Sequence, residues 1–386
     1  MMKCILRSAI SLALFWVGPM GYGTGVAHAE AVCGSGWQIS PSPEVYRGQL
    51  VDVSMPSPGH AWAVGTQVDP ASDAVRTLAE RWDGTSWSVV PGPEIPNSRA
   101  VRLQAVSAAS AKDVWAVGYD SNRSRDKVLI EHWDGASWTI APSPSPGVGA
   151  ILNDVAALGP KDVWAVGRYQ DPNVDITKAL IEHWDGSRWS RIAARDDSQS
   201  AGKSGLDSLA AISANDVWAF GWHLDATGHE DPLGEHWDGS RWSKVVLPTV
   251  SNSSRFIWAA TAISSQDVWT VGNGIVSGTT IRGFSEHWDG SQWRVADVAA
   301  PNPGDTWVRS ISARGPSDLY AVVQDNSSAR SAIEHWDGDA WTYQPVAALD
   351  APTSLVGVAA AGRRLFAVGG REGYPGGPVI VTSCPA

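Results

Sequence analysis

One block of apolar and polar residues recurs six times along the chain. Its most complete copy, residues 180–189, reads Leu-Ile-Glu-His-Trp-Asp-Gly-Ser-Arg-Trp. The aspartate of the block stands at Asp83, Asp134, Asp185, Asp238, Asp289 and Asp337. By subtraction, successive copies are 51, 51, 53, 51 and 48 residues apart. A regular period of this length predicts structural repeats that stack or are arranged radially.

Each repeat contains four short apolar segments. In one repeat they are residues 103–106, residues 113–118, the Glu-His-Trp block and a segment that begins at Trp138. They are rich in Val, Ile, Leu and Trp and are bounded by Gly, Pro, Ser or Asp, a pattern typical of β-strands. The Asp-Gly pair between the third and fourth segments favours a tight hairpin. Four strands without helical periodicity predict one β-propeller blade per repeat, with the first strand innermost.

The second of these segments occurs seven times, which predicts seven blades. Its copies begin at His60, Asp113, Asp162, Asp216, Asp267, Asp318 and Arg364. The seventh repeat lacks a fourth segment, whereas residues 33–41 match the fourth segment of the other repeats. We therefore expect an all-β, seven-bladed β-propeller with four antiparallel strands per blade. An N-terminal strand is expected to close the last blade.

Two of the three cysteines, Cys33 and Cys384, align with the turn aspartate of the other repeats. They fall in the one blade that has no covalent hairpin at that place. We therefore predict a Cys33–Cys384 disulfide, which requires an oxidising compartment. A redox or metal role for the pair is the alternative interpretation.

The N-terminal residues 1–29 have the features of a secretory signal peptide. Lys3 and Arg7 precede an apolar run at residues 10–17, and Ala27-His28-Ala29 forms a small-residue cleavage site. The apolar run is too short to span a membrane. We expect a secreted, extracellular protein without membrane insertion, whose residues 30–386 form a single propeller domain.

Charge limits the range of partners. With 29 Lys and Arg against 40 Asp and Glu, the formal net charge is -11. Such a chain repels phosphate backbones and anionic lipid, so nucleic acid is not an expected partner.

Five histidines of the repeat stand between Glu and Trp-Asp: His132, His183, His236, His287 and His335. Catalytic and metal sites are single asymmetric constellations, whereas these residues recur in blade after blade. We therefore predict a structural role, hydrogen bonding within the blade. The tryptophans of the repeat are likewise predicted to pack between neighbouring blades.

The Trp-Asp-Gly-x-x-Trp turn resembles the Asp-box hairpin of sialidase-like propellers. The whole repeat is similar to that of secreted kelch-like or Asp-box-like propeller proteins common in actinobacteria. This resemblance implies the fold, but propellers include hydrolases, lyases, oxidases, lectins and scaffolds. A sialidase would need the Phe/Tyr-Arg-Ile-Pro motif, which is absent, and three converging arginines, for which Arg102, Arg168 and Arg309 are candidates.

Function is expected where the repeats differ. The connections from the fourth to the first strand and from the second to the third share one face of a propeller, and here they vary widely. The residues predicted to bind a ligand at this channel mouth are Arg102, Asp154, Asp207, Trp222, His223, Trp258, Trp307 and Arg309. Indoles outside the repeat, beside Asp and Arg, suit a sugar or another polar ligand with apolar faces. Alternatively, they plug the channel or cover a blade edge.

The sequence thus predicts a secreted monomer that binds a carbohydrate or cell-surface ligand on its variable face, without a cofactor. One alternative is an extracellular lyase or hydrolase at the same mouth, using His223 and a loop carboxylate. Another is a protein-interaction scaffold, which would present an exposed apolar patch. No metal site is predicted, because the calcium-like spacing from Asp171 to Glu182 has Ile176 where such a loop needs Gly.

Overall fold

The computed structural model describes residues 36–384, with gaps at 122–125, 145, 147, 196–201, 225–228, 249–253, 278–279, 299–304, 326–329, 347–348, 350–352 and 372–375. These residues belong to one compact unit. The predicted signal peptide at residues 1–29 lies outside the described residues, and its cleavage stays a prediction. The described part of the chain contains no helix that is long and apolar enough to cross a membrane.

The described residues form 28 β-strands and no α-helix. The strands pair in groups of four, numbered 1 to 7 here. Group 1 consists of β2 (Gln49–Ser57), β3 (His60–Val68), β4 (Val75–Trp82) and β5 (Trp87–Val89). Group 2 consists of β6 (Ala100–Ser110), β7 (Asp113–Ser121), β8 (Asp126–Trp133) and β9 (Trp138–Ile140). Group 3 consists of β10 (Val148–Gly159), β11 (Asp162–Asp171), β12 (Ile176–Trp184) and β13 (Trp189–Ile192).

The later groups follow the same order. Group 4 consists of β14 (Ser204–Ser213), β15 (Asp216–Leu224), β16 (Glu230–Trp237) and β17 (Trp242–Lys244). Group 5 consists of β18 (Ser254–Ser264), β19 (Asp267–Ser277), β20 (Thr280–Trp288) and β21 (Trp293–Asp297). Group 6 consists of β22 (Thr306–Gly315), β23 (Asp318–Asp325), β24 (Arg330–Trp336) and β25 (Trp341–Pro345). Group 7 consists of β26 (Thr353–Ala361), β27 (Arg364–Arg371), β28 (Pro378–Ser383) and β1 (Gln38–Ile39).

Group 7 is built from both ends of the described chain. β1 pairs antiparallel with β28, with Gln38 opposite Thr382 and Ile39 opposite Val381. The backbone N–H of Ser40 adds a hydrogen bond to the Ile380 carbonyl at 2.9 Å. β1 therefore takes the place that the fourth strand has in the other groups.

The first strands of the groups contact one another in sequence order, from β2 through β6, β10, β14, β18 and β22 to β26, and β26 contacts β2. Side chains link neighbouring first strands. The N–H of Val106 donates to Asp52 Oδ2 at 2.8 Å, and the N–H of Ala157 donates to Ser107 Oγ at 2.9 Å. These bonds fix the spacing of the strands that surround the central channel.

Tryptophan packing holds each group against the next. Trp164 of β11 is 2% exposed, and its ring centroid lies 5.2 Å from that of Trp237 and 5.5 Å from that of Trp242, both in group 4. Between groups 7 and 1 Phe366 takes the place of Trp164, 5.2 Å from Trp82. The indoles of the repeat therefore form the core between groups, as the sequence predicted.

The repeat histidines have the structural role that their recurrence predicted. Nε2 of His236 donates to Asp216 Oδ1 at 2.8 Å, and the ring packs on Trp218 with centroids 4.2 Å apart. Asp216 also accepts a hydrogen bond from Trp218 Nε1 at 3.0 Å. His132, His183, His287 and His335 each make the equivalent bond to the aspartate that opens the second strand.

The hairpins between third and fourth strands are closed by their aspartates. Asp185 Oδ1 accepts from the N–H groups of Ser187 and Arg188, at 2.8 and 3.0 Å, and Gly186 has a φ of +93°. Hydrogen bonds to the carboxylate, first of all from the Ser187 hydroxyl, lower the pKa of Asp185 to about 2. The predicted Asp-Gly turn is therefore present.

The mature protein should contain no titratable thiol, folded or in denaturant. Cys384 is disulfide-bonded, whereas Cys33, the partner predicted for it, lies outside the described residues. Cys33→Ser should lower the free energy of unfolding by about 4 to 5 kcal/mol, since the bond would close a loop of nearly the whole domain. Thiol titration and thermal unfolding check this, with Cys33→Ser/Cys384→Ser expected to match the single variant. Two free thiols in the unreduced protein would refute the pairing.

Candidate functional site

In every first strand the register shifts opposite one equivalent pair of residues of the second strand, and one residue is left unpaired there. In β6 it is Gln104, because Leu103 pairs with Gly118 and Ala105 with Val117. The residues at this bulge, which we call the bulge ring, are Val51, Gln104, Asn153, Asp207, Trp258, Arg309 and Val356. All seven line the central cavity. A bulge re-aims a side chain, and here it places six residue types at the same level of the seven groups, with Val in groups 1 and 7.

In six of the seven groups a glycine of the second strand lies opposite this bulge and makes room for it, whereas group 6 has Val323 there. A Cβ atom on Gly118 would lie 2.0 Å from the carbonyl oxygen of Arg102. The repeated glycine is thus explained by the close approach of two backbones at the level of the bulge ring.

The central cavity has a volume of about 400 Å³ and is lined by residues from the first strands of all seven groups. Pockets that bind small ligands usually measure about 300 to 1,000 Å³. The lining includes the carboxylates of Asp52, Asp154 and Asp207 and the guanidinium of Arg309. The cavity is therefore large enough for a small ligand or one unit of a polymer, and it is polar.

Three of the predicted residues form one aromatic and cationic cluster, Trp258, Trp307 and Arg309, which we call the mouth cluster. Arg309 Cζ lies 4.3 Å from the ring centroid of Trp307 and 5.9 Å from that of Trp258. The two indoles are 6.3 Å apart and inclined by 23°. Trp258 Nε1 donates to Asn273 Oδ1, which fixes that indole. All three side chains are half-buried.

Asp207 offers a carboxylate at the same level of the channel. Its Oδ1 accepts a hydrogen bond from Asn153 Nδ2 at 2.8 Å. Burial is the main reason that the pKa of Asp207 is raised to about 6. The Arg168 guanidinium opposes this rise, and the Glu230 carboxylate adds to it. The group can therefore accept hydrogen bonds at neutral pH and take up a proton in mild acid.

Asp154 also lines the cavity, but its oxygens are occupied. Oδ2 accepts from the N–H of Leu209 at 2.7 Å, and Oδ1 accepts from the N–H of Val155 at 2.7 Å. Burial, together with the smaller effect of the nearby Asp52 carboxylate, raises the pKa of Asp154 to about 7. This arrangement favours a role in linking groups 3 and 4.

Four predicted residues, Arg102, Trp222, His223 and Trp307, are not among the described residues that line the cavity, although Trp307 contacts Arg309 and Trp258, which do. Trp222 lies against its own first strand, since a Cβ on Gly205 would be 3.1 Å from three atoms of the indole. This is the blade-covering arrangement that the sequence left open. His223 pairs with Ser204, and Arg102 pairs with Tyr119.

The sequence did not indicate Asn273, which holds Trp258, or the bulge that aligns the ring. The sequence signal for the bulge was indirect, since the repeats differ at this position of the first strand. Among the described residues, no three His, Cys, Asp or Glu side chains are grouped as a metal site requires.

Comparisons with known proteins identify the fold. No protein-family model and no curated protein matches the chain. Among solved structures, YCF48 bound to a D1 peptide has a TM-score of 0.57 at 16% identity, covering 92% of this chain and 99% of that one. A PL25 ulvan lyase has a TM-score of 0.57 at 8% identity, covering 87% and 95%. The GH74 xyloglucanase from Xanthomonas campestris has a TM-score of 0.55 at 15% identity, covering 87% of this chain and 53% of that one.

These similarities place the chain among β-propeller-like proteins with repeated four-stranded sheets. At such identities they describe the fold alone, because propellers with different activities share it.

Proposed function

We propose that the protein is a secreted, monomeric, seven-bladed propeller that binds a carbohydrate at the mouth of its central channel. Groups 1 to 7 would be the blades. Two contacts support ring closure, that of β26 with β2 and that of Phe366 with Trp82. In this proposal the Trp-Asp-Gly-x-x-Trp hairpins are of the Asp-box-like or kelch-like kind, and residues 1–29 direct the chain out of the cell.

The bulge ring is the observation that carries the proposal. It brings the indole of Trp258, the guanidinium of Arg309 and the Asn153–Asp207 pair to one level of a cavity of about 400 Å³. Indole faces pack against the C–H faces of sugar rings, while amides and carboxylates bond to hydroxyl groups. Polar, charged and aromatic residue types at five of the seven equivalent positions fit an asymmetric ligand better than a structural role.

The comparisons are compatible with this proposal. Two of the similar structures are, by their names, a polysaccharide lyase and a xyloglucanase. An enzyme at the same mouth is the second candidate, supported by the raised pKa of Asp207, which is near the range of general acids.

A scaffold is less well supported. The large exposed apolar residues include Ile39, Val89, Ile140, Val295 and Tyr343, which lie one per group on the outermost strands. Apolar residues that are scattered singly are common on protein surfaces and do not form the patch that a scaffold needs.

Trp307→Ala and Arg309→Ala should each weaken retention on a glycan array or cell-wall polysaccharide by at least about ten-fold. Both side chains are half-buried in the mouth cluster, so the cost in stability should stay near 1 kcal/mol. Trp222→Ala removes an indole that neither lines the cavity nor belongs to the mouth cluster, so it is the matched control and should bind like the wild type. Unchanged binding by both mouth variants would place the site elsewhere. Turnover of a retained glycan, lost in Asp207→Asn, would establish the enzyme instead.

A further inference from the structure

We propose that the ligand of the channel mouth is an acidic glycan, whose carboxylate or sulfate group binds the guanidinium of Arg309. This inference rests on the carbohydrate-binding function proposed above and narrows its substrate class. It is carried by the surroundings of Arg309.

Arg309 has no anionic partner among the described residues. Two of the other buried or half-buried arginines have one: Arg255 pairs with Glu286, and Arg314 Nη2 lies 2.6 Å from Asp318 Oδ2. For Arg309 the described structure provides only the two indoles, and its Nε has no hydrogen-bond partner there.

The cost of burying the Arg309 guanidinium is only partly compensated by its surroundings. Burial alone lowers the pKa of Arg309, with no carboxylate acting in the opposite direction. Indole faces stabilise a cation, but they do not replace the hydrogen bonds that the guanidinium loses from water. An anionic oxygen group of a ligand would restore both the charge balance and the hydrogen bonds, since guanidinium binds carboxylate and sulfate in a two-pronged geometry.

The acidic residues that line the cavity belong to different groups from that of Arg309. Asp52, Asp154 and Asp207 belong to groups 1, 3 and 4, whereas Arg309 belongs to group 6. A sugar acid fits this division, with its anionic group at Arg309 and its hydroxyls at Asp207 and Asn153. Because the chain as a whole is negatively charged at -11, attraction of an acidic polymer must be local.

The test compares ligands that differ only in charge. Binding of oligogalacturonate, of its methyl ester, of a sulfated galactan oligosaccharide and of its desulfated form is measured by calorimetry at two salt concentrations. We expect an acidic probe to bind about 10- to 100-fold more tightly than its uncharged counterpart, and this difference to shrink at high salt. Which acidic probe shows the difference identifies the anionic group.

Variants locate the effect. Arg309→Gln should remove the preference for the acidic probe, so that the acidic probe and its uncharged counterpart bind equally weakly, while Arg309→Lys should retain part of the preference. Arg241→Gln changes the net charge equally at an exposed hairpin and should bind like the wild type. Equal binding of charged and uncharged probes would overturn this inference and leave the carbohydrate site standing. Binding of none of the four probes would overturn the proposed function together with it.

Discussion

Trp164→Ala should lower the free energy of unfolding by about 3 to 5 kcal/mol. The indole is 2% exposed and lies between its own group and the next. It contacts Trp237, Trp242 and the ring of His183, with centroids 5.2, 5.5 and 4.2 Å away. An alanine would leave a cavity that the flanking sheets cannot close without moving groups 3 and 4 relative to each other.

Equilibrium denaturation by urea measures this loss. Trp222→Ala is the control, because that indole is half-buried and lies against Gly205 of its own first strand. It should cost markedly less than Trp164→Ala. If the two variants lose equal stability, the repeat indoles do not carry the packing between groups.

The strand content could be predicted because the repeat shows the same apolar segments again and again. The first and second strands are longer than the predicted segments: β6 and β7 have 11 and 9 residues, whereas the segments 103–106 and 113–118 span 4 and 6 residues. The strand ends lie at positions that vary between repeats. The apolar pattern is absent there, although backbone pairing continues. Hydrogen bonding between backbones does not need an apolar side chain at every second residue.

The bulge could not be predicted, because it breaks the alternation on which strand prediction relies. Strict alternation would place Leu103 and Ala105 on one face of β6. In the structure Leu103 packs with Val106 in one core cluster, and Ala105 packs in another. Gln104 is the extra residue, and it puts Leu103 and Ala105 on opposite faces of β6. Gln104 itself lines the channel.

The candidate site was partly predictable for the same reason. Trp258, Trp307 and Arg309 are candidates because they are absent from the repeat, and in the structure they contact one another. Trp222 is equally absent from the repeat, but it packs on Gly205. Sequence separates repeated from unrepeated residues, whereas the direction of a side chain near a strand end depends on local register.

Six glutamates of the repeat are fully buried: Glu80, Glu131, Glu182, Glu235, Glu286 and Glu334. Several bind the segment that enters their group. The hydroxyl of Ser42 donates to Glu80 Oε2 at 2.8 Å, and the hydroxyl of Ser143 donates to Glu182 Oε2 at 2.8 Å. The glutamates therefore connect consecutive groups, and their protonation should affect the whole ring.

Stability should be greatest near pH 5 and should fall as the pH rises to 8. Burial raises the pKa of Glu80 to about 7, of Glu131 to about 8 and of Glu182 to about 7. In the unfolded chain these groups titrate near 4.3, so between about pH 4.5 and 8 the folded state holds more protons and loses stability as the pH rises. Below pH 4 the hairpin aspartates have the opposite effect, and stability falls as the pH falls, because hydrogen bonds lower the pKa of Asp185 to about 2. The free energy of unfolding should therefore fall by several kcal/mol from pH 5 to 8.

Glu182→Gln should flatten this dependence. The amide oxygen can still accept the Ser143 hydrogen bond, so the variant should match the wild type near pH 5, where Glu182 is protonated. At pH 8 it should be more stable by about 2 kcal/mol, because no charge is buried. Urea denaturation at both pH values measures the difference, with the exposed Glu94→Gln as a control that should leave the pH profile unchanged. A wild-type stability that is constant or rises from pH 5 to 8 would mean that water or neighbouring groups already neutralise these carboxylates in the folded protein.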